Sequence, residues 1–134
     1  MSKDNIFSWP VRVYFQDTDA GGVVYYANYL KFMERARAEW LRTLGYTNAT
    51  LKNELGVLFV VRTLKLDYLK PALLDDMLSV TVQLKDAGRS RVTLLQSVWR
   101  GDEVLSNAEV QLVCVSAEGF RPVSVPEALR KQWV

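Results

Sequence analysis

Apolar and polar residues alternate strictly near the start of the chain. Phe7, Trp9, Val11, Val13 and Phe15 are interleaved with Ser8, Pro10, Arg12, Tyr14 and Gln16, the period of a strand with one buried face. The pattern predicts a first strand over Phe7 to Gln16. Pro10 has no N–H to give to a ladder, so it assigns that strand to a sheet edge or marks the strand's beginning. The period then changes. Tyr26, Tyr29, Leu30, Met33, Ala36, Trp40, Leu41 and Leu44 recur at three- and four-residue spacing, with Lys31, Glu34, Arg35, Glu39 and Arg42 largely off that stripe. This predicts an amphipathic helix from Tyr25 or Tyr26 to Leu44, about five turns long and stopped by Gly45. A shorter helical piece is expected over Asn48 to Glu54.

Four further strand-like runs follow: Val57 to Leu69, closed by "KPALLDD"; Met77 to Leu84; Arg91 to Trp99; and Val104 to Val115. "DAGR" and "RGDE" between them read as hairpin turns, and Asp75-Asp76 as turn chemistry. In the last run Ala108, Val110, Leu112 and Cys114 oppose Asn107, Glu109 and Gln111, one dry face and one wet. Pro126 to Trp133 reads as a short terminal helix with Pro126 in its first turn. Consecutive strands joined by tight turns pair antiparallel, and a single long amphipathic helix must bury its stripe on the sheet. The expected fold class is α+β: one domain over residues 1–134, a curved five-stranded antiparallel sheet wrapped around one long central helix. One helix cannot cover both faces of such a sheet, so a homo-oligomer is expected.

Composition narrows the chemistry. The 134 residues suit a single core, and the net charge of +2 and the absence of any long basic run give no reason to expect nucleic acid. The chain has no histidine, which removes Ser-His and Cys-His nucleophile pairs and every His-containing metal site. Its single cysteine, Cys114, stands in an alternating apolar run and reads as a small buried hydrophobe. No G-x-S-x-G, P-loop or G-x-G-x-x-G is present. The N-terminal segment lacks the apolar core of a signal peptide and "GVLFVV" is far too short to span a bilayer. The cytoplasm is the default location.

The chemistry-bearing stretch is "QDTDAGGVVYYANY". Asp17 and Asp19 stand where the first strand ends, Gly21 and Gly22 follow, and a helix begins just beyond. The first helical N–H groups have no intrahelical acceptor and lie at the positive end of the helix dipole. An acyl carbonyl placed there would be polarised as in an oxyanion hole. An upstream carboxylate could attack it or activate a water. The same residues are also good turn and capping chemistry, and spacing alone leaves both readings open. An EF-hand is disfavoured, because Asn28 stands where the closing Glu would be.

The stretch "VRVYFQDTDAGGVVYYANYLKFMERAR" closely resembles the signature of hotdog-fold acyl-CoA thioesterases. The likeness continues through "FVVRTLKLDYLKPALLDDMLSV" and "NAEVQLVCV", nearly the whole chain. It is greatest to the 4-hydroxybenzoyl-CoA thioesterase family and its YbgC-like branch associated with the Tol–Pal system. The resemblance implies a hydrolase that cleaves an acyl-CoA to a free acid and coenzyme A, with no metal or other cofactor. The oligomer expected from the uncovered sheet is a homodimer or homotetramer, and acyl carrier protein is a candidate partner. Carried over by residue, the catalytic carboxylate falls on Asp19 and the N–H that polarises the thioester carbonyl on Tyr26, while Gly21 and Gly22 leave room for the acyl group. Arg89, and next Arg91, fall where similar enzymes meet the phosphates of coenzyme A, which suits a guanidinium fork. Tol–Pal-associated members usually carry His where this chain has Tyr26; the 4-hydroxybenzoyl-CoA branch has Tyr. A backbone donor survives that change and a side-chain proton shuttle does not. Two readings of other classes stand beside this one. In one the chain only binds acyl-CoA or acyl carrier protein. In the other it is an interaction partner of cell-envelope machinery, with Asp19 dispensable.

Overall fold

The computed structural model describes residues 5–133. Strand β1 spans Ile6–Arg12, β2 Val57–Tyr68, β3 Met77–Ala87, β4 Arg91–Arg100 and β5 Glu103–Ser116. They form one antiparallel sheet in the order β1-β3-β4-β5-β2. Pro10 lies in edge strand β1, as a residue without an N–H requires. Helix α1 is Asn28–Thr43, and the short helices α2 and α3 are Asn48–Thr50 and Glu127–Arg130. A π turn over Leu51–Leu55 continues α2, so the expected piece over Asn48 to Glu54 is present in two geometries.

Two predicted boundaries move at the functional end. The first strand stops at Arg12 rather than Gln16: Val13 is buried, and Phe15–Asp17 then turn as a 3₁₀ helix that leaves Phe15 79% exposed. The apolar alternation overran because Phe15 keeps the period while its backbone turns away. The long helix opens at Asn28 rather than at Tyr25 or Tyr26. Its C-terminal end agrees: Leu44 caps it and Gly45 takes φ +97°, the left-handed stop.

The core lies between α1 and one face of the sheet. Tyr29, Phe32, Met33, Ala36 and Trp40 pack against Leu78, Val80, Val82, Leu94 and Val98. The opposite face is mostly polar, with Ser79, Thr81, Gln83, Thr93, Ser97, Asn107, Glu109 and Gln111, and also carries Leu95 and Val113. Helix α1 packs on β1, β3 and β4 and leaves the β2 flank open. Cross-strand neighbours share a face. Val61 beside Leu112, Leu64 beside Val110 and Tyr68 beside Ser106 therefore sit on the core side of β2. They remain 50%, 41% and 46% exposed. Cys114 is buried as expected, and desolvation pushes its thiol up to about 11.

Candidate active site

The loop between β1 and α1 is built on Asp17. Its Oδ2 accepts the Tyr14 N–H at 2.9 Å, its Oδ1 accepts the Asn28 side-chain amide at 3.1 Å, and its backbone carbonyl accepts the Tyr25 N–H at 2.9 Å. Both carboxylate oxygens are thus committed to joining the 3₁₀ turn to the helix. The β2–β3 connection supports the loop from the other side. Val24 N–H donates to the Ala72 carbonyl at 2.9 Å and Leu74 N–H to that of Gly22 at 3.2 Å, while Ala72 N–H donates to the buried Tyr29 hydroxyl at 2.9 Å. Asp76 fixes that connection in turn: its Oδ2 accepts the Leu73 N–H at 2.8 Å and pairs with Arg100 at 2.7 Å.

Asp19 differs from Asp17. It is exposed, and one oxygen, Oδ1, accepts the Gly21 N–H at 2.8 Å; among the described residues Oδ2 has no partner. The two glycines have separate jobs. A Cβ at Gly21 would sit 3.3 Å from Asp19 Oδ1, so its absence lets the carboxylate fold over the turn. Gly22 holds φ +79°, a conformation costly for any residue with a Cβ.

The helix that starts here begins poorly capped. The N-cap is Ala27, which has no side-chain acceptor. Asn28 N–H reaches the Tyr25 carbonyl at 2.8 Å, and Tyr29 N–H reaches that of Tyr26 at only 3.4 Å. Among the described residues, the N–H groups of Tyr26 and Ala27 find no acceptor. Two open donors therefore stand at the positive end of a helix about 24 Å long, on the loop that carries Asp19. Tyr68, the last residue of β2, closes the arrangement: its hydroxyl donates to the Tyr26 carbonyl at 2.8 Å, and its ring meets those of Tyr26 and Tyr29 edge-on. Desolvation first, and then Tyr29 and Tyr26, hold its hydroxyl above the ordinary tyrosine value, so it stays a donor.

Beside α1 lies a cavity of about 310 Å³, walled by Trp40, Leu41, Phe59, Val61, Leu94 and Trp133, with Glu34, Arg37 and Asn48 at its polar margin. Arg37 donates to Gln96 Oε1 at 2.8 Å, and Gln96 Nε2 donates to the Met33 carbonyl at 3.0 Å. Burial lowers the Arg37 pKa, partly offset by Glu34. Periodicity grouped Glu34 with the off-stripe surface and passed over Arg37. The signal for this network was Gln96, a polar residue in the inward series Val92, Leu94, Gln96, Val98. Tyr68 had no such signal, because its role depends on where β2 ends relative to α1.

Asp19, Gly21, Gly22 and Tyr26 thus lie on one loop, and Arg89 and Arg91 are not part of it. Arg91 opens β4 beside Val113, which pairs with Val60 near the start of β2. The Asp19 loop sits by Tyr68, at the end of β2. About 25 Å of strand separates the two. The turn before β4 is tied to the C-terminal segment: Val125 N–H donates to the Arg89 carbonyl at 2.8 Å, and Arg130 donates to the carbonyls of Gly88 and Arg89 at 2.8 and 2.7 Å. Both arginines are exposed, and neither pairs with a carboxylate among the described residues.

Residues 13–133 match the thioesterase-like superfamily. An acyl-CoA thioesterase, YbgC, of Haemophilus influenzae is 46% identical over 127 residues, 95% of this chain and 93% of that protein. A 1,4-dihydroxy-2-naphthoyl-CoA hydrolase of Thermosynechococcus vestitus is 30% identical over 118 residues, 87% of this chain and 81% of its own. Among solved structures, a probable thioesterase from Bartonella henselae superposes with a TM-score of 0.87 at 32% identity, covering 91% of this chain and all of that one.

Proposed function

The chain belongs to the thioesterase-like superfamily, and from that premise we propose that it hydrolyses acyl-CoA thioesters on the loop between β1 and α1. The fold is the hotdog arrangement of its structural relatives, and the enzyme is a thioester hydrolase. The observation that carries the site assignment is the pairing of a half-engaged carboxylate, Asp19, with two unsatisfied helix-start N–H groups, those of Tyr26 and Ala27. The thioester carbonyl oxygen rests on these donors, which are aimed where negative charge develops in the tetrahedral intermediate. Asp19 then takes a proton from an attacking water, or attacks the carbonyl carbon itself to give an anhydride that water opens. Either way the C–S bond breaks, the thiolate leaves and is protonated, and water supplies the oxygen and two hydrogens that the acid and thiol together gain. Water alone balances this reaction, so no metal or redox group is invoked. An acyl chain running along α1 from the helix start meets Glu34 and the apolar cavity after about 9 Å.

The arginines enter through a second copy. β2 is an edge strand with three core-side residues uncovered. Antiparallel pairing of two β2 edges would cover Val61, Leu64 and Tyr68. It would also set the Val57 end of one protomer beside the Tyr68 end of the other, bringing Arg89 and Arg91 of each protomer towards the Asp19 loop of its mate. The complete site is then shared: carboxylate and oxyanion donors from one chain, phosphate contacts from the other. Acyl carrier protein could present its thioester at the same loop. No helix among the described residues is long and apolar enough to cross a membrane. A cytoplasmic setting fits the single reduced, buried Cys114.

Thiol release measured over a panel of short aliphatic, aromatic and long-chain acyl-CoAs tests the reading. Wild type should turn over at least one class, and Asp19→Asn should lose about 10²-fold or more in kcat while still binding substrate. Wild-type turnover in Asp19→Asn would return the carboxylate to turn chemistry. No turnover by wild type on any substrate would leave a binding module.

A further inference from the structure

Resting on the active-site reading above, we propose that Tyr68 is a positioning residue that sets and strengthens the oxyanion donors through the Tyr26–Ala27 peptide. The Tyr26 carbonyl, which accepts the Tyr68 hydroxyl at 2.8 Å, belongs to the same peptide group as the Ala27 N–H. A hydrogen bond at the oxygen of an amide polarises its N–H and makes it a stronger donor. Tyr68 therefore acts on Ala27 without touching substrate.

The same bond shapes the turn. Tyr26 precedes the N-cap, so its carbonyl lies outside the regular helical ladder; its bond from Tyr29 N–H is long at 3.4 Å and its short bond is to Tyr68. The carbonyl is held by β2, and the peptide plane is set by a group 42 residues away. Three ring contacts keep the hydroxyl in register: Tyr68 lies 5.2 Å from Tyr29 and 6.3 Å from Tyr26, and Tyr29 in turn lies 6.3 Å from Phe32 in the core. Tyr29 is itself fixed, through its hydroxyl, by the Ala72 N–H. The donors thus hang on a chain of contacts that runs from the buried helix face, through Tyr29 and Tyr68, to the one carbonyl that orients them. With Ala27 at the N-cap, no side chain at that position can do this.

The test uses Tyr68→Phe, which keeps the ring contacts and removes only the hydroxyl, and Tyr68→Leu, which removes both, in the full-length protein. For Tyr68→Phe we expect kcat to fall about tenfold, below the ~10²-fold or greater loss of removing an oxyanion donor outright. KM should stay within about twofold and melting within a few degrees of wild type, as expected for an interaction realised in the transition state. A readout independent of turnover accompanies it. In ¹⁵N-labelled protein the Ala27 amide proton should move upfield in Tyr68→Phe as its peptide loses polarisation, and the Tyr29 amide should move downfield as its own bond to Tyr26 shortens. Unmoved Ala27 and Tyr29 amides overturn the proposal whether or not the protein hydrolyses thioesters. Full kcat in Tyr68→Phe, with losses confined to a destabilised Tyr68→Leu, also overturns it and leaves Tyr68 as packing. If wild type is inactive on the whole acyl-CoA panel, the functional reading fails, and the amide shifts still decide whether Tyr68 governs this peptide.

Discussion

At the first turn of the site, Asp17 commits both carboxylate oxygens to its own loop, while Asp19 commits one. Substitution by Asn should separate them. In Asp17→Asn the new side chain would offer one acceptor and one donor group to two partners that both donate, the Tyr14 N–H and the Asn28 amide. A mispaired, partly buried hydrogen bond costs about 1–3 kcal/mol. Thermal melts should show Asp17→Asn several degrees below wild type, with a smaller rate loss than that of Asp19→Asn; unchanged melting together with a rate loss as large as that of Asp19→Asn would make Asp17 catalytic instead. At position 26 the expected contribution is the backbone N–H. Tyr26→Phe keeps that N–H, the carbonyl that Tyr68 holds and the ring, so kcat should stay within a few fold. A drop beyond about 10²-fold would assign the hydroxyl to proton transfer.

Among the elements, β2 is the exposed one. Its partner on one side is β5; on the other side its backbone is unpaired among the described residues, and Val61, Leu64 and Tyr68 on its core side stay exposed. An edge of this length is a template for another strand. Placing Lys at both Val61 and Leu64 would set like charges against each other across any β2–β2 pairing. Sedimentation should then show a monomer where wild type sediments as a dimer or a dimer of dimers, and thioesterase activity should fall with it. Wild-type oligomerisation by the double variant would move the interface elsewhere. Helix α1 shows why the structure tolerates an unsatisfied start: the packing of Tyr29, Phe32, Met33, Ala36 and Trp40 on the sheet supplies stability that the missing N-cap does not.

For the whole molecule, the decisive question is whether the site belongs to one chain or two. Arg89 and Arg91 are about 25 Å of strand away from the Asp19 loop of their own chain, so the shared-site reading predicts complementation. Asp19→Asn and Arg89→Ala/Arg91→Ala proteins should each be deficient at low acyl-CoA concentration, the first in kcat and the second in KM. Mixed and exchanged, they form heterodimers in which one site has an intact Asp19 and intact arginines from the other chain. Activity should then rise above the sum of the separate proteins. No gain on exchange, with heterodimers verified by mass, would mean that the arginines serve their own chain or serve folding.

The sequence by itself determined the element order, the antiparallel class, the helix stripe and its glycine stop, because periodicity and turn chemistry are local. It also placed Asp19, Gly21, Gly22 and Tyr26 on one loop, since a strand end, a glycine turn and a helix start adjoin in the chain. Tertiary structure decided what local pattern cannot encode. Phe15 keeps the strand's apolar period, yet its backbone turns, because Asp17 ties the 3₁₀ turn to Asn28. The helix opens later than its apolar stripe: Leu30 N–H bonds the Ala27 carbonyl, and the Tyr26 carbonyl takes the Tyr68 hydroxyl from β2. Gln96 is tolerated in the core because Arg37 and the Met33 carbonyl satisfy it. Arg89 and Arg91, joined to the site by resemblance, lie at the far end of the sheet, because the β4–β5–β2 register carries them there.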